Sequence, residues 1–281
     1  MSLVYVSKGD YTKAMECYED LKKIGLDLGD KRVYSIAVGN MGNLFFAQGL
    51  YTRAMEHYEE YKKVCLELGD TSGYSMAIGN MGNVSFKQGE YTKAIEYYEE
   101  QKKICLELGD KSGYSMAVDD IGDVYNEQGN YTKAIECYEE AINVGREFNI
   151  KRNLCDYLYS KAKLLYTLKE YENAKSTNNE ANQMAIEVQR KDIVFSSTLL
   201  SHKLQALENP KEAVTNLTQM LSTETEDENV AAIHYEIYQI NHSDEHRHEA
   251  LERYQKLYAK TPNIDYKEKI EELNQYSGGK S

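Results

Sequence analysis

The chain copies itself every forty residues, and no other feature limits its architecture as severely. Residues 49–88 and 89–128 agree at 25 of 40 positions. A period of that length belongs to stacked supersecondary units, each burying its apolar face on the next rather than around one common centre. Ala14, Ala54, Ala94, Ala134 and Ala174 keep the interval, and Ala213 and Ala250 continue the column at slightly shorter spacing. Tyr11, Tyr51, Tyr91, Tyr131 and Tyr171 form a second column. Past about residue 145 the match decays while the alanine column persists.

Within one period the pattern reads as two antiparallel helices. Asp70 stands where an N-cap is needed, and Tyr74, Met76, Ala77, Met81 and Val84 carry helical spacing as far as Gly89. A second helix runs from about Tyr91, through Ala94, Ile95, Tyr98 and Ile104, to Leu108. Gly109 then takes the left-handed position open to glycine, and Asp110 caps the following helix. Gly82 and Ala94 are small where the two helices must approach closely. The two prolines, Pro210 and Pro262, lie late in the chain, so the first two hundred residues hold no helix breaker.

Comparison of the copies separates what packing requires from what varies. Between residues 49–88 and 89–128 the severe changes fall in the first helix: Gly79 becomes Asp119, Asn80 becomes Asp120, Asn83 becomes Asp123, Phe86 becomes Asn126 and Lys87 becomes Glu127. These positions share one helical stripe, which reads as a free surface.

The pattern resembles the tetratricopeptide repeat. Ile78, Met81, Gly82 and the aromatic slot of Phe45 or Tyr125 match its helix A. Ala94 and Tyr98, with Ala141 in the fourth unit, match its helix B. The proline that usually follows helix B is replaced by Leu-Glu-Leu-Gly-Asp, an extension similar to that of the forty-residue variant in kinesin light chains, Pins-like adaptors and bacterial signalling arrays. The resemblance implies an all-α, right-handed superhelical solenoid of antiparallel helix pairs over residues 1–276. Its parts are a truncated first unit (1–28), well-matched units (29–148), degenerate units (149–260) and a capping helix (264–276). Val4-Tyr5 align with the end of a helix A, and residues 277–281 read as a loose tail.

In such arrays the A helices line a concave groove in which asparagines bond a bound peptide's backbone. By resemblance the groove here holds Asn40, Asn43 and Phe46, then Asn80, Asn83 and Phe86, then Asp119, Asp120 and Asp123, and Lys163 in the fourth unit. An asparagine amide offers the donor and acceptor that an extended backbone requires. The aspartates stand where the chaperone-binding branch would place positive charge. They fit a protein or peptide partner with basic residues instead of an acidic C-terminus.

The other signals are weaker. With 33 basic and 46 acidic residues the formal charge is −13, which disfavours nucleic acid and anionic membranes. No apolar run reaches the roughly 18 residues of a membrane span, so a cytoplasmic protein is expected. The five cysteines form no CxxC pair and read as reduced thiols. His242 and His246 have chelating spacing inside a polar connection that reads as solvated loop. Tyr58, Tyr98 and Tyr138 read as packing residues. No phosphate loop, nucleophile elbow or HExxH motif is present, so no enzyme activity, catalytic residue, metal or cofactor is expected. The expectation is a peptide-binding scaffold, monomeric or weakly dimeric. The rival is a structural or self-association module of a larger signalling protein.

Overall fold

The computed structural model describes residues 11–261 and 264–275. The expectations for Val4-Tyr5, Pro262 and residues 277–281 fall outside them. Fourteen helices make up the described residues. They are α1 (Tyr11–Leu28), α2 (Lys31–Ala47), α3 (Tyr51–Leu68), α4 (Thr71–Lys87), α5 (Tyr91–Leu108), α6 (Lys111–Glu127) and α7 (Tyr131–Glu147), then α8 (Lys151–Thr167), α9 (Tyr171–Glu187), α10 (Lys191–Glu208), α11 (Pro210–Leu221), α12 (Asp227–Asn241), α13 (Asp244–Lys260) and α14 (Ile264–Gln275). The odd helices α1 to α13 occupy the helix B slot, and the even helices α2 to α12 occupy the helix A slot. The chain divides into two compact units, residues 1–140 and 141–281.

Local chemistry sets the helix ends. Asp30, Asp70 and Asp110 each turn a carboxylate onto the first free N–H groups of the next helix, as in Asp70 Oδ1 accepting from Gly73 N at 2.9 Å. The B helices α3 and α5 end on Gly69 and Gly109 at φ 67° and 69°. Left-handed residues recur every twenty positions, at Gly29, Gly49, Gly69, Gly89, Gly109 and Gly129. The beat then continues on Asn149, Lys169 and Gln189, which carry a side chain at φ 54°, 63° and 58°.

Connections of one to five residues leave consecutive helices antiparallel and packed on one another within each unit. All seven alanines of the column are fully buried. In the first unit the core joins them to Tyr18, Tyr58 and Tyr98 from the B helices and to Met41, Ile78, Met81 and Val84 from the A helices. Gly82 is a point of close approach. A Cβ there would lie 2.6 Å from Cε1 of Tyr98, so its partner is this ring rather than Ala94. The second unit packs Leu217, Ile233 and Ile237 in one cluster and Ala231, Tyr235, Ala250, Tyr254 and Leu273 in another. The five cysteines are free, with Cys65, Cys105 and Cys155 buried.

Candidate peptide-binding groove

In the first unit the exposed stripe of each A helix is tied to the B helix behind it by one repeated bond. The Tyr58 hydroxyl donates to Asn43 Oδ1 at 2.8 Å, Tyr98 to Asn83 Oδ1 at 2.7 Å, and Tyr138 to Asp123 Oδ1 at 2.7 Å. The three tyrosines are at most 2 % exposed. Their burial disfavours the phenolate and pushes each phenol above its ordinary pKa, so each hydroxyl stays a donor. A fixed donor selects the amide oxygen as acceptor, so the Nδ2 hydrogens of Asn43 and Asn83 take no part in these bonds. Asn80 Nδ2, on α4, reaches Asn43 Oδ1, on α2, at 3.4 Å. This contact joins the amides of α2 and α4 into one seam. Asn40, Asn80 and Asn83 are half-buried, and Asn43 is exposed.

Two lines of apolar side chains flank this seam. Ile36, Met76 and Met116 lie four residues before Asn40, Asn80 and Asp120, and they are 54 %, 53 % and 43 % exposed. At the other end of the stripe Phe46 and Phe86 are half-buried, their rings resting on Tyr51 and Tyr91 at centroid distances of 5.7 and 6.0 Å. The third rung replaces phenylalanine by Asn126.

A tetratricopeptide-repeat family model matches residues 74–147 and 114–187, and a second one matches residues 1–24. The chain carries tetratricopeptide repeats. No curated protein matches it in sequence. Aspartyl phosphate phosphatase F from Bacillus subtilis superposes with a TM-score of 0.73 at 14% identity, over 100% of this chain and 70% of that one. A Rap protein complexed with Competence and Sporulation Factor gives 0.72 at 11% identity, over 97% and 74%. The Rap conjugation gene regulator of plasmid pLS20, in complex with the Phr* peptide, gives 0.70 at 14% identity, over 100% and 75%. At these identities the likeness concerns the fold.

The tetratricopeptide geometry corrects the reading of the stripe as a wholly free surface. Asp119 is buried, 8 % exposed. Its slot faces the B helix: a Cβ on Gly39 would lie 3.2 Å from the Tyr61 ring, and one on Gly79 would lie 2.5 Å from the Gln101 amide. In sequence the slot of Tyr61 and Gln101 is next filled by Ala141, the smallest of the three, where the glycine slot gains the Asp119 side chain. Asp120 and Asp123 are half-buried on the seam. Burial, with the Asp123 carboxylate beside it, pushes the Asp120 carboxyl up to about 8. The third rung is therefore less anionic at neutral pH than its three aspartates imply.

The tyrosine-to-amide device ends with the first unit. In the second, Lys163 takes the Asn43 slot, exposed and 5.8 Å from the Tyr159 ring centroid. Asn178 takes the tyrosine slot and bonds Ser197 O and Ser201 Oγ at 2.8 and 2.9 Å. The second unit instead holds a cavity of about 420 Å³ lined by Tyr166, Lys203, Leu207, Glu236, Ile240 and Lys269, among others. There Lys203 Nζ meets the buried Glu236 at 3.2 Å. His246 stands 2.8 Å from Nδ1 of His234 on α12 through its own Nδ1, rather than with His242, which caps that helix at φ 54°. Among the described residues no three His, Cys, Asp or Glu side chains converge as a metal site, and no helix is long and apolar enough to cross a membrane.

Two elements of the groove escape the sequence reading. The tyrosines of the B helices orient its amides, and the fifteen-residue spacing Asn43–Tyr58, Asn83–Tyr98, Asp123–Tyr138 was the available signal. Ile36, Met76 and Met116 are the second; their signal was an apolar residue on the same stripe in three successive copies.

Proposed function

We propose that this chain is a protein-interaction scaffold whose first unit holds an extended segment of a partner along the A-helix seam. The oriented amides carry the reading. Tyrosine hydroxyls fix Asn43 and Asn83, so both present N–H donors without loss of rotamer freedom on binding, which is preorganisation of the kind that raises affinity. The fold likeness to a Rap protein solved with Competence and Sporulation Factor, and to a conjugation regulator solved with the Phr* peptide, is consistent with this use. Five free thiols fit a cytoplasmic setting.

A partner with a lysine or arginine opposite Asp120 and Asp123 fits the third rung. The cation favours the ionised form of Asp120, so binding releases a proton and tightens as pH rises through about 8. The test is a display of nine-residue peptides probed with the purified chain, with hits measured by fluorescence polarisation. Asn43→Ala and Asn83→Ala should each weaken binding. Asp120→Asn with Asp123→Asn should remove the preference for basic peptides and its salt dependence. Unchanged affinity and salt dependence in the double variant would refute the basic-partner reading.

A second reading is self-association within a larger signalling protein. A column of exposed leucines near the B-helix C-termini of the first three repeats, Leu26, Leu66 and Leu106 at 61 %, 70 % and 58 % exposure, favours it. Light scattering decides between the two: a dimer that Leu66→Lys dissociates, with groove variants behaving as wild type, supports self-association.

A further inference from the structure

Resting on the groove reading of the first unit, the side-chain chemistry of the occupant follows from what flanks the amide seam. Along α4 the stripe runs Met76, Asn80, Asn83, Phe86, at positions i, i+4, i+7 and i+10. With about 1.5 Å of rise per residue, the methionine lies roughly 6 Å to one side of Asn80 and the phenylalanine roughly 4.5 Å beyond Asn83. The helix α2 repeats the order as Ile36, Asn40, Asn43, Phe46, and the Asn80–Asn43 contact shows that the middle elements of the two helices are continuous. The A-helix face is therefore three parallel lines. Amides run down the centre, an Ile/Met line runs along one edge through three rungs, and a Phe line runs along the other through two.

An extended strand laid on the amides points successive side chains to opposite sides. One set falls on Ile36, Met76 and Met116, and the other on Phe46 and Phe86. The aliphatic edge is solvent-exposed and its two methionines adapt to varied shapes. The aromatic edge is held against Tyr51 and Tyr91, giving rigid platforms. Each line changes at a different repeat: Asn126 interrupts the Phe line at the third rung, and Asp156, paired with Arg190 at 2.7 Å, holds the next Met slot.

We infer that the occupant is an extended peptide with apolar side chains on both of its edges across the first two rungs and on its Met-facing edge alone at the third. Selectivity comes from the two apolar lines, whereas the amides hold any backbone.

The probe is a set of fluorescein-labelled nine-residue peptides ending in lysine, with leucine at odd positions, at even positions, at both, or at neither, and serine elsewhere. Affinities are measured by polarisation for the full chain, Met76→Gln/Met116→Gln and Asn83→Ala. The leucine-free peptide should bind about tenfold or more weakly than the peptide with leucine on both edges. Met76→Gln/Met116→Gln should shrink that ratio severalfold, while Asn83→Ala weakens every peptide alike and preserves it. Circular dichroism checks that the exposed-site variants melt as wild type. An unchanged ratio in Met76→Gln/Met116→Gln, or equal binding of all four peptides, overturns the inference and leaves the groove standing. Absence of binding by every peptide, or binding insensitive to Asn83→Ala, overturns the groove reading and this inference with it.

Discussion

Tyr98→Phe deletes one oxygen atom and separates packing from orientation. The ring stays, so the space against Gly82 remains filled and no cavity opens. What disappears is the 2.7 Å bond from a hydroxyl on a residue 1 % exposed to Asn83 Oδ1. One neutral hydrogen bond contributes about 0.5–1.5 kcal/mol net, so the thermal midpoint should fall by about 2–4 °C. The larger consequence is for binding. Asn83 loses the donor that selects its amide orientation, and a ligand must then immobilise that side chain at a cost of about 0.5–1.5 kcal/mol, a two- to tenfold loss of affinity.

Tyr58→Phe supplies the internal comparison. Asn43 Oδ1 accepts from Tyr58 at 2.8 Å and also from Asn80 at 3.4 Å, so one donor remains after the substitution. Its affinity loss should be smaller than that of Tyr98→Phe, even though both tyrosines are equally buried. The assay is peptide polarisation on wild type, Tyr58→Phe, Tyr98→Phe and Asn83→Ala, with melting curves alongside. If Asn83→Ala weakens binding and Tyr98→Phe does not, the hydroxyl does not set the amide, and preorganisation of the seam is wrong. A Tyr58→Phe loss exceeding that of Tyr98→Phe would refute the role given to Asn80.

Further outcomes follow from the same structure. The Asp120 carboxyl ionises at about 8 in the folded chain but near 3.8 when unfolded, so the native state holds the extra proton between these values and stability falls as pH rises across that window. Asp120→Asn removes this dependence and should raise the melting midpoint most at pH 8, a difference that closes toward pH 4. Gly82→Ala places a Cβ 2.6 Å from the buried Tyr98 ring and should cost about 1–3 kcal/mol by urea unfolding; a neutral result would mean that the two helices separate freely. Lys169→Gly and Gln189→Gly relieve side chains held at φ 63° and 58° and should each stabilise by roughly 0.5–1 kcal/mol, seen as a raised melting midpoint.

Most of the fold was legible because its determinants are local and repeated. Asp70, Gly109 and Asp110 announce helix ends by themselves, and the helices end where they direct. The site was legible in part. Which helix carries the variable stripe can be read from periodicity, but which edge of that stripe meets the neighbouring helix cannot. Gly39 and Gly79 carry no polarity to mark their side, so Asp119 reads like its neighbours until the Tyr61 and Gln101 side chains show that the slot is closed. The tyrosines misled for a different reason: their rings do pack, and only the hydroxyl at the end of a buried ring reaches the seam.

The second unit shows which of these determinants the fold can do without. Its left-handed positions lose glycine at Asn149, Lys169 and Gln189, yet the chain reverses on the same twenty-residue beat. A left-handed non-glycine residue costs roughly 1–2 kcal/mol, so something with more to gain must hold the register. The alanine column meets that requirement. Ala174, Ala213 and Ala250 are as fully buried as Ala14, Ala54, Ala94 and Ala134, and a larger side chain at any of them would force the helix pair apart. Close packing at one small residue per repeat thus holds the helix pairs together where the turn glycines are missing, and those glycines, where present, lower the strain of the turn. The groove residues carry no such duty, which is why the tyrosine-to-amide bond vanishes at Asn178 while the helices around it keep their lengths.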